Sequence, residues 1–268
     1  MFDGLYAPIP DVEKYLARLG MKLPQKADRS TLDALILAHL RCVPFENLDV
    51  YDAQTDLCFD IPYLYDKIVL RRRGGYCFEL NALFTRLLQD LGYDCYPVMS
   101  RVLWGATFLR PLAHRSAIVT IDGLRYYADV GFGGPSAQSS LLVDDASEQI
   151  SGPNIFTVDK APDGGFIISR LVESGSEQLL YISETPCDPV DFLPLSEFQA
   201  KNKNSRFTQV RIVSLTTENG SKTLTENLLK INQKDKDAQE KALNSEEEIR
   251  AALLEHFGIV VDFPLRKT

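Results

Sequence analysis

Leu80, Leu83, Phe84, Leu87, Leu88 and Leu91 recur at i, i+3, i+4, i+7, i+8 and i+11, and the run stops at Gly92. That spacing lays one apolar stripe along a helix, with the glycine as its C-terminal stop. Beyond Gly92 the pattern changes. YDCYPVMSRVLW, HRSAIVTI, LRYYADVGF, NIFTVD, GGFIISRLV and EQLLYIS are short segments rich in β-branched and aromatic residues. Turn signals such as Asp122-Gly123 and Asp163-Gly164-Gly165 separate them, which predicts an antiparallel sheet or barrel. Helices first and strands after make the class α+β.

The flanks fit that order. Asp11 is placed to cap a short helix that stops at Gly20, and Ser30 with Asp33 resembles a capping box before LDALILAHL. Residues 61–70 predict another short helical segment. After the strands, Pro186, Pro189 and Pro194 lead into a helix over VDFLPLSEFQAKN. Two or three further strands follow, with Asn219-Gly220 as a hairpin turn. The charged run QKDKDAQEKALNSEEEIR reads as solvated, and within it Ser245 and Glu248 form a capping box for a last helix ending at Gly258. The expected division is a helical part over 1–92, a barrel over 93–185, and a linker helix with a mixed tail over 186–268.

Composition removes several function classes. The 268 residues are 45% hydrophobic and 25% charged, ordinary globular proportions, and the formal net charge of -8 points away from nucleic acid. No apolar run approaches the roughly 20 residues of a membrane span, and the N-terminus is acidic where a signal peptide is basic. Cys42, Cys58, Cys77, Cys95 and Cys187 are odd in number and never form a C-x-x-C pair. That is neither a disulfide framework nor a zinc site, so the expectation is a cytoplasmic protein without a bound metal.

Cys77 opens the clearest helix, directly behind RRRGGY. Unpaired N–H groups and the helix dipole at that position stabilise a thiolate, and the same N–H groups suit an oxyanion. Gly74 and Gly75 allow a tight entry and leave room for a substrate. The competing reading is a buried apolar cysteine, the commoner fate of a free thiol. A nucleophile needs a base, and the chain has three histidines. His39 lies mid-helix among apolar residues and His256 in the last turn of the last helix, both structural positions. His114 opens a hairpin in which a two-residue Asp122-Gly123 turn pairs Ile121 with Leu124 and sets Gly131 opposite His114. Asp129 then lies on the same face as His114, diagonally across the ladder. A three-residue turn would reverse the parity and separate them. Taken by itself, Asp129 suits a structural role more readily than a catalytic one.

RGGYCFELN (73–81), the His114 strand, DVGFG (129–133) and PFENLDV (44–50) resemble, in order and spacing, signature segments of the arylamine N-acetyltransferases. The resemblance implies a helical first domain, a β-barrel second domain and an α/β lid. It also implies a cysteine-protease-like triad of Cys77, His114 and Asp129. The implied chemistry is ping-pong transfer of an acetyl group from acetyl-CoA, through a Cys77 thioester, to an arylamine, arylhydrazine or N-hydroxyarylamine. Phe45 and Phe132 flank matched motifs and suit either an aromatic substrate pocket or plain core packing. Gly133 and Gly134 suit either close approach of CoA or a simple turn. Arg73 and Glu46 fit a structural ion pair. Two segments depart from the family: Ala113 stands where threonine is common, and KNKNSRF (201–207) matches only loosely a serine/threonine-rich stretch before the lid. The same triad would serve an amide synthase or another acyl-CoA-dependent transferase in a biosynthetic pathway. A papain- or transglutaminase-like hydrolase is the more remote alternative.

Overall fold

The computed structural model describes residues 1–162 and 164–267; Asp163, part of one expected turn, lies outside them. The helical part holds α1 (Val12–Arg18), α2 (Arg29–Cys42), a two-residue strand β1 (Phe45–Glu46), α3 (Ile61–Tyr65) and α4 (Cys77–Asp90). Asp11 caps α1 by accepting from the Lys14 N–H at 2.9 Å. The start of α2 differs from expectation. Asp28 is its cap, accepting from the Thr31 N–H at 2.9 Å, and Ser30 lies inside the first turn. Aspartate caps as well as serine, and capping at Asp28 lengthens the helix by two residues. Asp33 is thereby free to accept from the Ser140 N–H and hydroxyl at 2.7 and 2.6 Å, tying α2 to the strands. Along α4 the predicted stripe is the core: Leu80, Leu83, Phe84, Leu87 and Leu88 are fully buried.

Eight strands follow: β2 (Asp94–Val102), β3 (His114–Ile121), β4 (Leu124–Ala128), β5 (Leu141–Leu142), β6 (Gln149–Ser151), β7 (Asn154–Lys160), β8 (Phe166–Val172) and β9 (Gly175–Pro186). They form one antiparallel sheet in the order β5-β4-β3-β2-β9-β8-β7-β6. A side chain bridges its two edges. The Gln149 amide on β6 accepts from the Leu142 N–H at 2.7 Å and donates to the Leu142 carbonyl at 2.8 Å, leaving a barrel that is nearly closed. One face of the sheet, with Val119, Ile121, Tyr126 and Ala128, packs on α4. The other, with Ile118, Tyr127, Phe156 and Ile168, fills the barrel. Both faces of β3 are therefore covered, and Thr120 alone on that strand is not buried.

The last part holds α5 (Leu193–Lys201), α6 (Arg206–Gln209), β10 (Ile212–Thr217), β11 (Gly220–Thr225), β12 (Leu228–Gln233), β13 (Gln239–Ala242) and α7 (Glu246–Phe257). Its sheet, β1-β10-β11-β12-β13, takes a strand from the helical part: Phe45 pairs Ser214 and Glu46 pairs Val213. Leu48 likewise belongs to the C-terminal apolar cluster. The β10–β11 turn sits one residue earlier than Asn219-Gly220, because Thr217 pairs Gly220 and the turn residues are Glu218 and Asn219. Gly220 is needed in the strand, where a Cβ would stand 2.0 Å from the Asn232 carbonyl oxygen. Ser245 caps α7 as expected, accepting from the Glu248 N–H at 3.2 Å.

His39 is structural and carries a pH signature. It is fully buried on α2, its Nε2 lies 3.0 Å from the Tyr15 hydroxyl, and the Phe84 ring meets it edge-on. Burial, helped by the Arg18 charge, holds its pKa down to about 3. Protonation therefore favours the unfolded chain, and the stability from a neutral His39 is full above the ordinary histidine pKa and lost as pH falls toward the folded value. Urea unfolding of His39→Gln between pH 6 and pH 4 is expected to lack up to one proton's worth of slope, about 1.4 kcal/mol per pH unit. Parallel curves for variant and wild type would show that His39 does not titrate this way.

Candidate active site

Cys77 owes its position to a constrained entry into α4. Tyr76 is extended (φ -95, ψ -176) and the helix begins at the next residue. A Cβ on Gly74 would lie 1.9 Å from the Pro44 carbonyl oxygen, and one on Gly75 would lie 2.8 Å from the Glu79 side chain. Those contacts, not a left-handed backbone, require glycine at both positions. The Gly75 carbonyl accepts from the Glu46 N–H at 2.9 Å, and the Glu79 carboxylate accepts from the Tyr76 N–H at 3.0 Å. A buried charge cluster braces this turn from beneath. Lys67 Nζ lies 2.6 Å from Glu79 and 2.7 Å from Asp49, while Arg73 reaches Glu46 at 2.8 Å and Asp49 at 2.6 Å. The expected Arg73–Glu46 pair is one edge of this cluster. Burial lifts the Glu79 pKa to about 7, against the pull of Lys67. Cys77 itself is buried at the head of α4, and its N–H has no acceptor among the described residues.

The hairpin delivers the other two groups. Ile121 pairs Leu124 across Asp122-Gly123, both at positive φ (51° and 76°), and the ladder runs to Ala117–Ala128. It stops there, so Gly131 is not a ladder partner of His114, but the parity holds. His114 Nε2 lies 2.7 Å from Asp129 Oδ2, and both residues are buried. The Asp129 carboxylate is saturated. Tyr127 donates its hydroxyl to Oδ2 at 2.6 Å, and Asn81 Nδ2 and the Gly131 N–H donate to Oδ1 at 2.8 and 2.7 Å. Burial opposes its charge, but His114 and these donors outweigh that and hold its pKa below the ordinary carboxylate value. For His114, burial disfavours the imidazolium; the Asp129 charge and hydrogen bond, with a weaker contribution from the nearby Cys77, reverse this and raise the pKa to about 10. With Nε2 committed to Asp129, Nδ1 is the ring nitrogen left to face Cys77.

The structure thus pairs His114 with Asp129 and sets Cys77 beside the Asp129 loop, where a Cβ on Gly131 would stand 2.8 Å from Cys77 Cα. The Phe132 ring stands 6.0 Å from that of His114, edge to face, and Trp104 meets Phe132 edge to face at 6.2 Å. Phe45 sits over Gly133, whose φ is +70°, at a distance where a Cβ would meet its ring at 3.1 Å. Gly134 is wedged against Phe132 and Trp104 in the same way. Both glycines therefore let aromatic rings close over the loop behind Asp129. Phe207, from the loosely matching KNKNSRF segment, packs on Phe45 and Tyr76. Sequence reasoning missed Asn81, Tyr127 and Gly131 as supports. Asn81 follows Cys77 by one helical turn, and Tyr127 precedes Asp129 by two residues in a strand-like stretch, so each shares a face with the residue it serves. Among the described residues no cluster of three or more His, Cys, Asp or Glu side chains could hold a metal ion, and no helix is long and apolar enough to cross a membrane.

Residues 28–266 match the family model described as N-acetyltransferase. The chain is 30% identical over 214 residues to an arylamine N-acetyltransferase of Mycolicibacterium smegmatis, covering 78% of this chain and 77% of that one. It is 32% identical over 163 residues to proansamycin X synthase of Amycolatopsis mediterranei, covering 60% and 62%. In three dimensions it resembles the arylamine N-acetyltransferase of Mycobacterium marinum, determined in complex with CoA, with a TM-score of 0.81, 26% identity and 93% of each chain covered.

Proposed function

From a chain that belongs to the arylamine N-acetyltransferase family, we infer that Cys77, His114 and Asp129 carry acetyl transfer from acetyl-CoA to an aromatic amine, hydrazine or N-hydroxyarylamine. The observation that carries this reading is the bond from His114 Nε2 to Asp129 at 2.7 Å, which leaves Nδ1 for the thiol. Cys77 gives its proton to Nδ1, and the thiolate adds to the thioester carbonyl of acetyl-CoA. The Cys77 N–H donates to the oxyanion in this reading, supported by its lying unpaired at the head of α4. Collapse expels the CoA thiolate, which takes the proton back from His114, and acetyl-Cys77 remains. The amine nitrogen then adds to this second thioester, His114 accepts its proton, and the Cys77 thiolate leaves. Asp129 keeps Nε2 protonated and stabilises the imidazolium. A thioester intermediate preserves the activation of the acyl group between the two halves.

Phe45 and Phe132 are the proposed walls for the aromatic acceptor, and Gly133 and Gly134 the backbone that CoA approaches. The parts 1–92, 93–185 and 186–268 are proposed to supply nucleophile, base and lid. Five free cysteines support a cytoplasmic location. The similarity to proansamycin X synthase supports a second reading, an amide synthase with the same triad and a different acyl group. Intact-protein mass spectrometry after mixing with acetyl-CoA separates them. An acetyl adduct is expected on wild type, absent from Cys77→Ala, and discharged by aniline or a hydrazine. An adduct that resists every arylamine favours the synthase, and an adduct on Cys77→Ala overturns the assignment of the nucleophile.

A further inference from the structure

Arg115 follows His114 on β3 and points to the opposite face of the strand, where it lines a cavity of about 320 Å³. The cavity lies between α4, the start of β3 and the segment after β9. Its α4 wall is Ala82, Thr85, Arg86 and Gln89, spaced i, i+3, i+4 and i+7, a face roughly 130° around the helix from Cys77. No member of the triad lines it. Arg115 is 4% exposed, and among the described residues its guanidinium makes no ion pair or hydrogen bond; Nε is buried without any partner. Its close compensation among the described residues is the Phe192 ring, 4.5 Å from the guanidinium carbon, with a weaker pull from the Cys187 and Cys77 sulfurs. Burial lowers its pKa, to about 10, so it stays cationic at neutral pH. The other charges at this cavity are accounted for. Arg86 is paired with Asp90, and Asp188 is exposed at the rim with no bond to Arg115. Leu5, Ile61 and Pro97, with the Tyr96 ring, make an apolar stretch of the wall.

A buried cation without a counter-charge destabilises a fold unless something supplies that charge. A cavity with one unpaired cationic anchor and an apolar stretch of wall selects its ligand by those two features. We propose that this cavity is a second ligand site, separate from the catalytic thiol, for a small organic monocarboxylate whose carboxylate pairs with Arg115 and whose apolar body lies against Leu5, Ile61 and Tyr96. Because the site shares β3 with His114 but not its face, occupancy is expected to act without competing with either substrate.

Cys187 lines the same cavity, is half-buried, and reports on it. The probe is benzoate, and the readout is peptide-level alkylation of Cys187 by iodoacetamide in a Cys77→Ala background, with Cys58 as the internal control. At about ten times its Kd, benzoate should slow Cys187 alkylation about tenfold, since protection rises as 1 + [L]/Kd, and leave Cys58 unchanged. Arg115→Met should abolish the protection while raising the melting temperature of the ligand-free protein, because it removes an unpaired buried charge. Protection that persists in Arg115→Met would overturn the proposal. So would the absence of protection at high millimolar benzoate, or a ligand-free Arg115→Met protein less stable than wild type.

Discussion

Asp129→Asn is expected to lower the rate of Cys77 acetylation by about three to four orders of magnitude, the loss seen when a triad carboxylate becomes an amide. The reason lies in the donors around this side chain. His114 Nε2 and the Tyr127 hydroxyl converge on one oxygen, Asn81 Nδ2 and the Gly131 N–H on the other. An amide has one acceptor oxygen, so in either orientation its NH2 faces two donors. If it faces His114, the imidazole is driven to the other tautomer and its Nδ1 can no longer accept from Cys77. If it faces Asn81 and Gly131, the loop behind the site loses both anchors. The loss of charge also removes what raises the His114 pKa to about 10, so imidazolium no longer persists at neutral pH beside the thiol. The His114 imidazole should therefore titrate at lower pH in the variant than in wild type, which NMR of the ring reads directly. Stopped-flow acetylation and that titration are the measurements. A loss of less than about tenfold with an unchanged titration would mean that Asp129 does not orient the base.

The parts of this site legible in the sequence are those set by local geometry. An Asp-Gly turn of two residues fixes the parity of the hairpin, and parity alone puts Asp129 on the side of His114. The apolar stripe of α4 and the glycine that ends it fix the phase of Cys77 in the same way. What stayed hidden is contact between distant segments. Asp33 turned out to bind Ser140 instead of Ser30 because the partner lies 107 residues away. Phe45 and Glu46 joined the C-terminal sheet through residues near 214, and no local pattern marks a two-residue strand. Arg211, fully buried, clamps that sheet to Asp52 at 2.9 Å through a pair 159 residues apart. The charge cluster under Cys77 was visible only as its Arg73–Glu46 edge, since no local pattern marks Lys67 and Asp49 as buried partners of that pair. Arg115 is the extreme case: in sequence it is one basic residue on an apolar strand.

Gly131→Ala is expected to damage both stability and activity, although it adds one methyl group. The added Cβ would lie 2.8 Å from Cys77 Cα and 2.9 Å from Asn81 Nδ2. Neither neighbour can yield cheaply. Cys77 Cα is backbone in the first turn of α4, braced from below by Glu79 and Lys67, and Asn81 is held by the Arg115 carbonyl at 2.6 Å and by the Val130 N–H at 3.0 Å. Overpacking of this kind costs about 1–3 kcal/mol. Movement of the loop to relieve it separates Asp129 from Asn81 and draws the aspartate off His114, so acetylation should fall by about a hundredfold or more, as for a misplacement near 1 Å. Gly105→Ala is the control. Its φ is +61° but nothing lies within 4 Å of the added atom, so it tests backbone strain without a clash. Thermal unfolding and single-turnover acetylation of both variants measure the contrast. If Gly131→Ala keeps wild-type acetylation, the close approach of the Asp129 loop to Cys77 is not what holds the triad together, and the positioning must come from Asn81 and Tyr127 alone.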